Sequence, residues 1–309
     1  MKMLSDQFII FIWISIVWEI VQIALYHLTG RLPALAWGTA ASVRYGSIWD
    51  DPNGYAVFMI FMVPFIYFRY YRRPWMMAGL EGILLVFLIL TQSMTGMATL
   101  CLSLVFGVGL LILGRAAHKK ALLGLLAVVP VFLLMVTLYH FSNPPSADVV
   151  EGKNRSIQEH KSAWLMLQGY LSGDGNFNSD LKPAEVRSRQ QDRPPKHLGD
   201  RLDNPVRRFV QTESGYVNIF INTGWFYLLM YLIAGAIGLI TLYQALLKEY
   251  SGPGLDLCYG AYFFIIGYYV ALLNLPLEQI FPINILMVVS LLIAHFARSR
   301  IYSLQGVAP

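Results

Sequence analysis

The sequence predicts an all-α, polytopic membrane protein with about eight transmembrane helices and a large, partly helical periplasmic loop. Hydrophobic residues make up 56% of its 309 residues and charged residues only 13%, about half the charged share of an average soluble domain. The apolar residues form stretches near the ~20 residues that cross a bilayer, and charged residues lie in the gaps. Lipid is therefore expected to surround most of the chain.

Hydropathy predicts eight spans, at residues 7–28, 53–68, 76–92, 97–114, 121–139, 218–246, 258–275 and 281–297. They divide the chain into N-terminal membrane helices (1–139, five spans), an extracytoplasmic loop with amphipathic helices (140–217) and C-terminal membrane helices (218–309, three spans). The first apolar run is longer than that of an ordinary signal peptide, so it predicts an uncleaved span. Cleavage near Ala40 is the alternative.

The basic residues of the short connections predict the orientation of these spans. Most of them fall on one side of the membrane: Lys2, Arg69, Arg72, Arg73, Arg115, Lys119, Lys120, Lys248, Arg298 and Arg300. Only Arg31 and Arg44 fall on the other side. Because Lys and Arg concentrate in cytoplasmic loops, the pattern predicts a multi-pass protein of the bacterial inner membrane with both termini in the cytoplasm and the long loop outside.

A first group of candidate residues precedes the second span. The segment Asp51-Pro52-Asn53-Gly54 predicts a sharp turn, and Arg44 lies where it can bind a phosphate at the outer headgroup level. The alternative interpretation is a helix start beside an interfacial arginine.

A second group lies in the long loop. Ser156-Ile157-Gln158-Glu159 has the form of a capping box and predicts an amphipathic helix over 156–171, with His160 and Trp164 on one face. Arg155 and His160 stand at its N-terminus, where free amide groups and the helix dipole favour an anion such as pyrophosphate. A solvated arginine and a surface histidine are the alternative.

A third group follows at the end of the loop, where Glu213-Ser214-Gly215-Tyr216 comes after the basic pair Arg207 and Arg208. A carboxylate at the mouth of the bundle can accept the proton of an attacking sugar hydroxyl. The alternative is a carboxylate that caps a helix.

Other residues point away from metal, disulfide and nucleic-acid chemistry. Cys101 and Cys258 both lie inside predicted spans, and no nucleic-acid motif occurs. Glu19 and Glu81 lie within spans, where a charge costs roughly 2.5–3.5 kcal/mol on insertion scales, so each is expected to face the bundle interior or to be protonated. We predict that they make buried interhelical hydrogen bonds, with a proton relay as the alternative.

Four motifs together resemble the O-antigen ligase and Wzy-type polysaccharide polymerase superfamily. They are Arg44-x-Gly46 with Asp51-Pro52-Asn53, then Ser93-Met94-Thr95-Gly96, then Ser156-x-x-x-His160-x-x-x-Trp164 with Gly173-x-Gly175, and then Glu213-Ser214-x-Tyr216 with Gly224. The Glu-Ser-x-Tyr form is more similar to capsule or exopolysaccharide polymerases than to the ligases, which tend to carry histidine where Glu213 stands.

The resemblance implies a glycosyl transfer at the periplasmic face without a metal or cofactor. The donor would be an undecaprenyl-pyrophosphate-linked oligosaccharide and the acceptor a glycan. Arg44 and Arg155 would hold the pyrophosphate, with His160 and Glu213 near the reacting hydroxyl. The other candidate substrate-binding residues are Asp51, Asn53, Trp164, Arg207, Arg208 and Tyr216.

One departure from the family pattern concerns the N-terminal part. Members of the superfamily usually carry several more spans before the Arg-x-Gly motif, which here follows the first span. Either the chain is a shortened homologue or another subunit supplies those helices, in which case other polysaccharide assembly proteins are partners. A non-catalytic subunit of an exopolysaccharide assembly complex is therefore one alternative function. The intramembrane Glu19 and Glu81 leave a transporter of polysaccharide or lipid-linked glycan as the other.

Overall fold

The computed structural model describes residues 1–31, 36–39, 42–49, 51–116, 118–142, 214, 216, 219, 225–247, 254–273, 275, 277 and 281–304. Helices dominate this part of the chain, as predicted. They are α1 (Lys2–Thr29), α2 (Pro52–Tyr70), α3 (Pro74–Leu90), α4 (Met94–Leu113), α5 (Lys119–Leu126), α6 (Val128–Ser142), α7 (Trp225–Leu247), α8 (Leu255–Ala271) and α9 (Phe281–Leu304). A short antiparallel hairpin of β1 (Ala36–Thr39) and β2 (Ser42–Tyr45) joins α1 to α2, and the sequence did not predict it.

Within the described residues, five helical segments are long and apolar enough to cross a membrane. They are α1, α4, α7, the consecutive α5 and α6 over Lys119–Tyr139, and Pro282–Ser299 of α9. Helices α3 and α8 are apolar but shorter, with 17 residues each. Each predicted apolar stretch overlaps a helix, and the fifth is divided into α5 and α6 at Ala127. The helices indicate a membrane protein, while the number of eight spans stays a prediction.

Helix α2 lies at the centre of the bundle. Every residue from Gly54 to Phe68 is buried, and the helix packs against α8, α3 and α4. The rings of Phe68 and Tyr259 stack with their centroids 3.4 Å apart, and Phe61 lies against Phe264 at 6.3 Å. A helix that is surrounded on all sides has no polar face, which explains why the α2 sequence is apolar around its whole circumference.

Small residues allow α2 to approach its neighbours closely. A Cβ atom on Gly96 of α4 would overlap the Cβ of Ala56, and one on Gly267 of α8 would lie 2.6 Å from Cγ2 of Ile60. Such contacts replace the hydrophobic driving force that is missing between helices in lipid, because close backbones increase van der Waals contact.

An ion-pair network ties three helix ends together where the predicted topology places the cytoplasm. Arg69 near the end of α2 pairs with Asp6 of α1 and with Asp256 of α8, whose Oδ2 lies 3.3 Å from Nη1. The hydroxyl of Ser5 donates to the same Asp256 carboxylate. The starts of α1 and α8 are thereby held to the end of the central helix.

The predicted loop 140–217 lies outside the described residues except at 140–142, which end α6, and at Ser214 and Tyr216. The predicted amphipathic helix over 156–171 falls entirely outside them.

The close contact of α4 with α2 leads to a stability prediction. Replacing Gly96→Ala forces the two helices apart, and we expect the free energy of unfolding to fall by about 1–3 kcal/mol, the usual cost of overpacking. Thermal unfolding of the purified protein in detergent measures this change. Gly109→Ala is the matched control, because it lies in the same helix with nothing within 4 Å of the added atom. Equal unfolding temperatures for both variants would contradict the close approach.

Candidate functional site

The β hairpin places Arg44 at one end of the bundle. In the hairpin Arg44 pairs with Trp37, and β2 contacts α1 and α3. This end also contains the start of α2 and the turn between α3 and α4. The arginine therefore stands where three parts of the chain meet.

Two hydrogen bonds orient the half-buried Arg44 side chain. Its Nε donates to the backbone oxygen of Thr91 over 2.8 Å, and its Nη2 donates to Oδ1 of Asn53 over 2.9 Å. Among the described residues, Nη1 has no hydrogen-bond partner. The guanidinium is thus held on one edge and keeps donors for an anion on the other, which suits phosphate recognition.

Asp51 starts α2 beside this arginine. Its Oδ1 accepts from the backbone N–H of Asn53 over 2.9 Å, so Asp51 is the N-cap and Pro52 the first helical residue. Burial lowers the pKa of Arg44 from its ordinary value, and the Asp51 carboxylate acts in the opposite direction. The guanidinium stays charged because its ordinary pKa is so high.

The turn between α3 and α4 completes this group. The side-chain amide of Gln92 donates through Nε2 to the backbone oxygen of Val43 over 3.3 Å. Ser93 caps α4 by accepting from the N–H of Gly96 over 3.2 Å. Two of the four sequence motifs, about Arg44 and about Ser93, therefore meet in space. Asp51 and Ser93 each cap the start of a helix, which agrees with the helix-start interpretation of the Asp51 segment, and Arg44 has a fixed place beside them.

Helix α1 supports the turn that follows Arg44. Ser47 has a φ of 54°, a left-handed conformation that is uncommon for a residue with a side chain. Its hydroxyl donates to the backbone oxygen of Ser15 over 2.6 Å, and its backbone oxygen accepts from the Gln22 amide over 3.0 Å. All three residues are fully buried. The sequence analysis did not single out Ser15, Gln22 or Ser47, although the polar spacing within an apolar span was a visible signal.

Tyr216 lies against a different part of the bundle. Its hydroxyl donates to the backbone oxygen of Tyr269 in α8 over 2.7 Å, and burial raises its pKa to about 12. The phenol is therefore protonated at neutral pH. From α8, hydrogen bonds continue from the Tyr269 hydroxyl to the backbone oxygen of Tyr231 over 2.6 Å and from the Tyr268 hydroxyl to Asn284 over 2.9 Å. The described contacts of Tyr216 thus hold it against α8, and none of them joins it to Arg44.

The other candidate residues, Arg155, His160, Trp164, Arg207, Arg208 and Glu213, lie outside the described residues, and their roles stay predictions. In the part of the chain that the structure describes, no three His, Cys, Asp or Glu residues form a group that could hold a metal ion. Cys101 and Cys258 are free thiols.

The chain matches no family model, no curated protein and no solved structure with which it was compared. The resemblance to a glycan polymerase or ligase therefore depends on the sequence motifs alone.

The Arg44 contacts predict the effect of removing their side-chain acceptor. Asn53→Ala takes away the partner of Nη2. We expect the free energy of unfolding to fall by about 1.5–3 kcal/mol, the usual range for a hydrogen bond to a charged group. Thermal unfolding in detergent measures it. Thr137→Ala, which removes an exposed hydroxyl bonded to its own helix, is the control. An unchanged unfolding temperature for Asn53→Ala would show that the contact contributes nothing.

Proposed function

We propose that the chain is a membrane glycosyltransferase that joins undecaprenyl-pyrophosphate-linked glycan units at the outer face of a bacterial inner membrane. The observation that carries the proposal is the half-buried Arg44, which Thr91 and Asn53 hold at one end of the bundle. Its Nη1 has no hydrogen-bond partner in the described part of the chain and can donate to an anion. The positive-inside pattern of the sequence favours the outer side for this end.

Two helix N-termini add to the positive potential around Arg44. Asn53 stands at the start of α2, and Thr91 lies just before the start of α4. The amide groups at a helix N-terminus carry a partial positive charge that stabilises anions. The Asp51 carboxylate offsets part of this potential and holds the α2 start in place. The group therefore suits the charge of a pyrophosphate.

The reaction needs charge stabilisation on the leaving group and a proton acceptor. The oxygen of an acceptor sugar hydroxyl attacks the anomeric carbon of the donor, and the bond from that carbon to the pyrophosphate oxygen breaks. Undecaprenyl pyrophosphate leaves with the bonding electrons, while the hydroxyl proton passes to a base. Arg44 and Arg155 would stabilise the leaving pyrophosphate, and Glu213 or His160 would take the proton.

Transport of a lipid-linked glycan is the second candidate function, and the buried carboxylates favour it. Glu19 and Glu81 are 0% and 5% exposed, and among the described residues their carboxylate oxygens have no hydrogen-bond partner. Ionisable groups inside membrane helices often mark ion or proton pathways.

Deletion of the chain separates the two candidate functions. If the chain is a polymerase, its deletion leaves single lipid-linked units at the outer face of the membrane, and if it is a transporter, its deletion leaves them at the inner face.

The role of Arg44 predicts a strong effect on polymer formation. Arg44→Ala removes a donor to the leaving group, and we expect synthesis to fall by roughly 10²–10³-fold. Arg44→Lys keeps the charge but loses the paired donors, so it should recover only part of the activity. Polymer length and lipid-linked single units are measured together in membranes.

The control for these variants is Arg72→Ala, which removes an exposed arginine that contacts only Tyr71 among the described residues. Membrane insertion of each variant is checked by its amount in the membrane fraction. Normal polymer length in Arg44→Ala at normal insertion would rule out the proposed site.

The proposed location predicts the labelling of the long loop. In a chain whose two native cysteines are replaced by serine, a cysteine substituted for Trp164 should react with a membrane-impermeant maleimide in intact cells. A cysteine substituted for Arg72 should react only after the membrane is permeabilised. The reverse pattern would place the loop in the cytoplasm and remove the donor substrate from reach.

A further inference from the structure

The turn between α3 and α4 contains a backbone conformation that its sequence does not favour. Gln92 follows the C-cap of α3 with a φ of 52°, in the left-handed region where a side chain crowds the backbone and where glycine is the usual residue after a helix. The end of α1 shows the usual arrangement, because Gly30 stands there with a φ of 65°. The steric cost of a glutamine in this conformation directs attention to the contacts of its side chain.

The side chain of Gln92 makes one half of a reciprocal contact with the hairpin. Its Nε2 donates to the backbone oxygen of Val43 over 3.3 Å, while Nε of Arg44 donates to the backbone oxygen of Thr91 over 2.8 Å. Two adjacent residues of the turn are thus bonded to two adjacent residues of β2, with one donor on each side. A pair of bonds at neighbouring positions restricts rotation of the strand against the turn, which a single bond would permit.

The turn is itself held by hydrogen bonds, so it can act as a rigid support. The hydroxyl of Thr91 donates to the backbone oxygen of Leu88 over 2.7 Å and accepts from the N–H of Ser93 over 3.2 Å. The backbone N–H of Gln92 donates to the oxygen of Ile89 over 2.9 Å. Both Thr91 and Ser93 are buried. The backbone oxygen that accepts from the guanidinium is thereby fixed to the end of α3.

These contacts give the guanidinium of Arg44 a defined direction. The reciprocal contact fixes Nε, and the bond to Oδ1 of Asn53 fixes Nη2. In the part of the chain that the structure describes, Nη1 has no hydrogen-bond partner. The bond from Gln92 to Val43 ties β2 to the turn without using the arginine, so the position of the strand does not depend on the guanidinium alone.

We propose that Gln92 is a positioning residue, which holds the hairpin against the α3–α4 turn so that Nη1 of Arg44 is directed at the leaving pyrophosphate. The inference rests on the proposed function, because it gives Gln92 a role only through the Arg44 site. Orientation contributes strongly to rate, since a misplacement of about 1 Å can cost about 10²-fold. Loss of the Gln92 side chain should therefore reduce synthesis while the charge of the arginine stays in place.

Gln92→Gly separates this role from a contribution to stability. Glycine adopts the left-handed φ without crowding, which offsets the lost hydrogen bond, so we expect the unfolding temperature in detergent to change by less than about 2 °C. Polymer synthesis in membranes should nevertheless fall roughly 10-fold, because the hairpin is held less firmly. Arg115→Gly is the matched control. Arg115 has a φ of 63° just after the opposite end of α4, and its replacement should leave synthesis unchanged.

Gln92→Met provides a second measurement if the glycine variant does not fold. It keeps a side chain of similar length but lacks the amide donor, so synthesis should fall by a similar factor. The amount of each variant in the membrane fraction is measured alongside synthesis. This comparison corrects for any variant that inserts less well.

A double variant tests whether Gln92 acts through Arg44. In Arg44→Ala the guanidinium that Gln92 positions is gone, so adding Gln92→Gly should lower the residual synthesis no further. A residue that only stabilises the fold would lower synthesis by the same factor in both backgrounds.

The results separate this inference from the proposed function. If Arg44→Ala lowers synthesis while Gln92→Gly and Gln92→Met leave it normal, the positioning role is wrong and the Arg44 site stands. Equal losses from Gln92→Gly with and without Arg44, or a loss that follows the unfolding temperature, would also reject the positioning role. Normal synthesis in Arg44→Ala would reject the proposed function and this inference with it.

Discussion

The burial of α2 on all sides is the constraint on which the rest of the structure depends. Between Gly54 and Phe68 the helix exposes no residue, so its neighbours must meet around it. Close approach at Gly96 and Gly267 is what makes this arrangement compact. Apart from the hydroxyls of Tyr55 and Tyr67, the side chains of this stretch are apolar, so the charged partners of the helix lie at its two ends.

The two ends of α2 carry different chemistry. At its C-terminal end, Arg69 makes ion pairs with Asp6 and Asp256, and these join the starts of α1 and α8. At its N-terminal end, Asn53 accepts one bond from Arg44, whose Nη1 has no partner among the described residues. The guanidinium of Arg69 is paired with two carboxylates, which is typical of a structural contact. The guanidinium of Arg44 keeps a donor without a partner among the described residues, so it can bind an anion. This difference is the physical basis of the proposed function.

The candidate anion site and the buried polar face of α1 are parts of one structure. Arg44 and Ser47 lie on opposite sides of a short turn, one bonded to α2 and the α3–α4 turn and the other to α1. A change in the contacts of Ser47 therefore has a direct route to the position of the guanidinium. In a low-dielectric bundle such contacts matter more than they would in water.

The sequence by itself determined the helical class, the apolar stretches and the starts of α2 and α4, because hydropathy and capping chemistry are local properties. It also brought Arg44, Asp51 and Asn53 into one segment. Only the tertiary structure showed that Arg44 is bonded to Thr91, 47 residues away, that Tyr216 bonds to α8, and that Ser15 and Gln22 bond to Ser47. These contacts depend on how the helices pack around α2, and side-chain spacing along one helix does not specify which neighbour it will face.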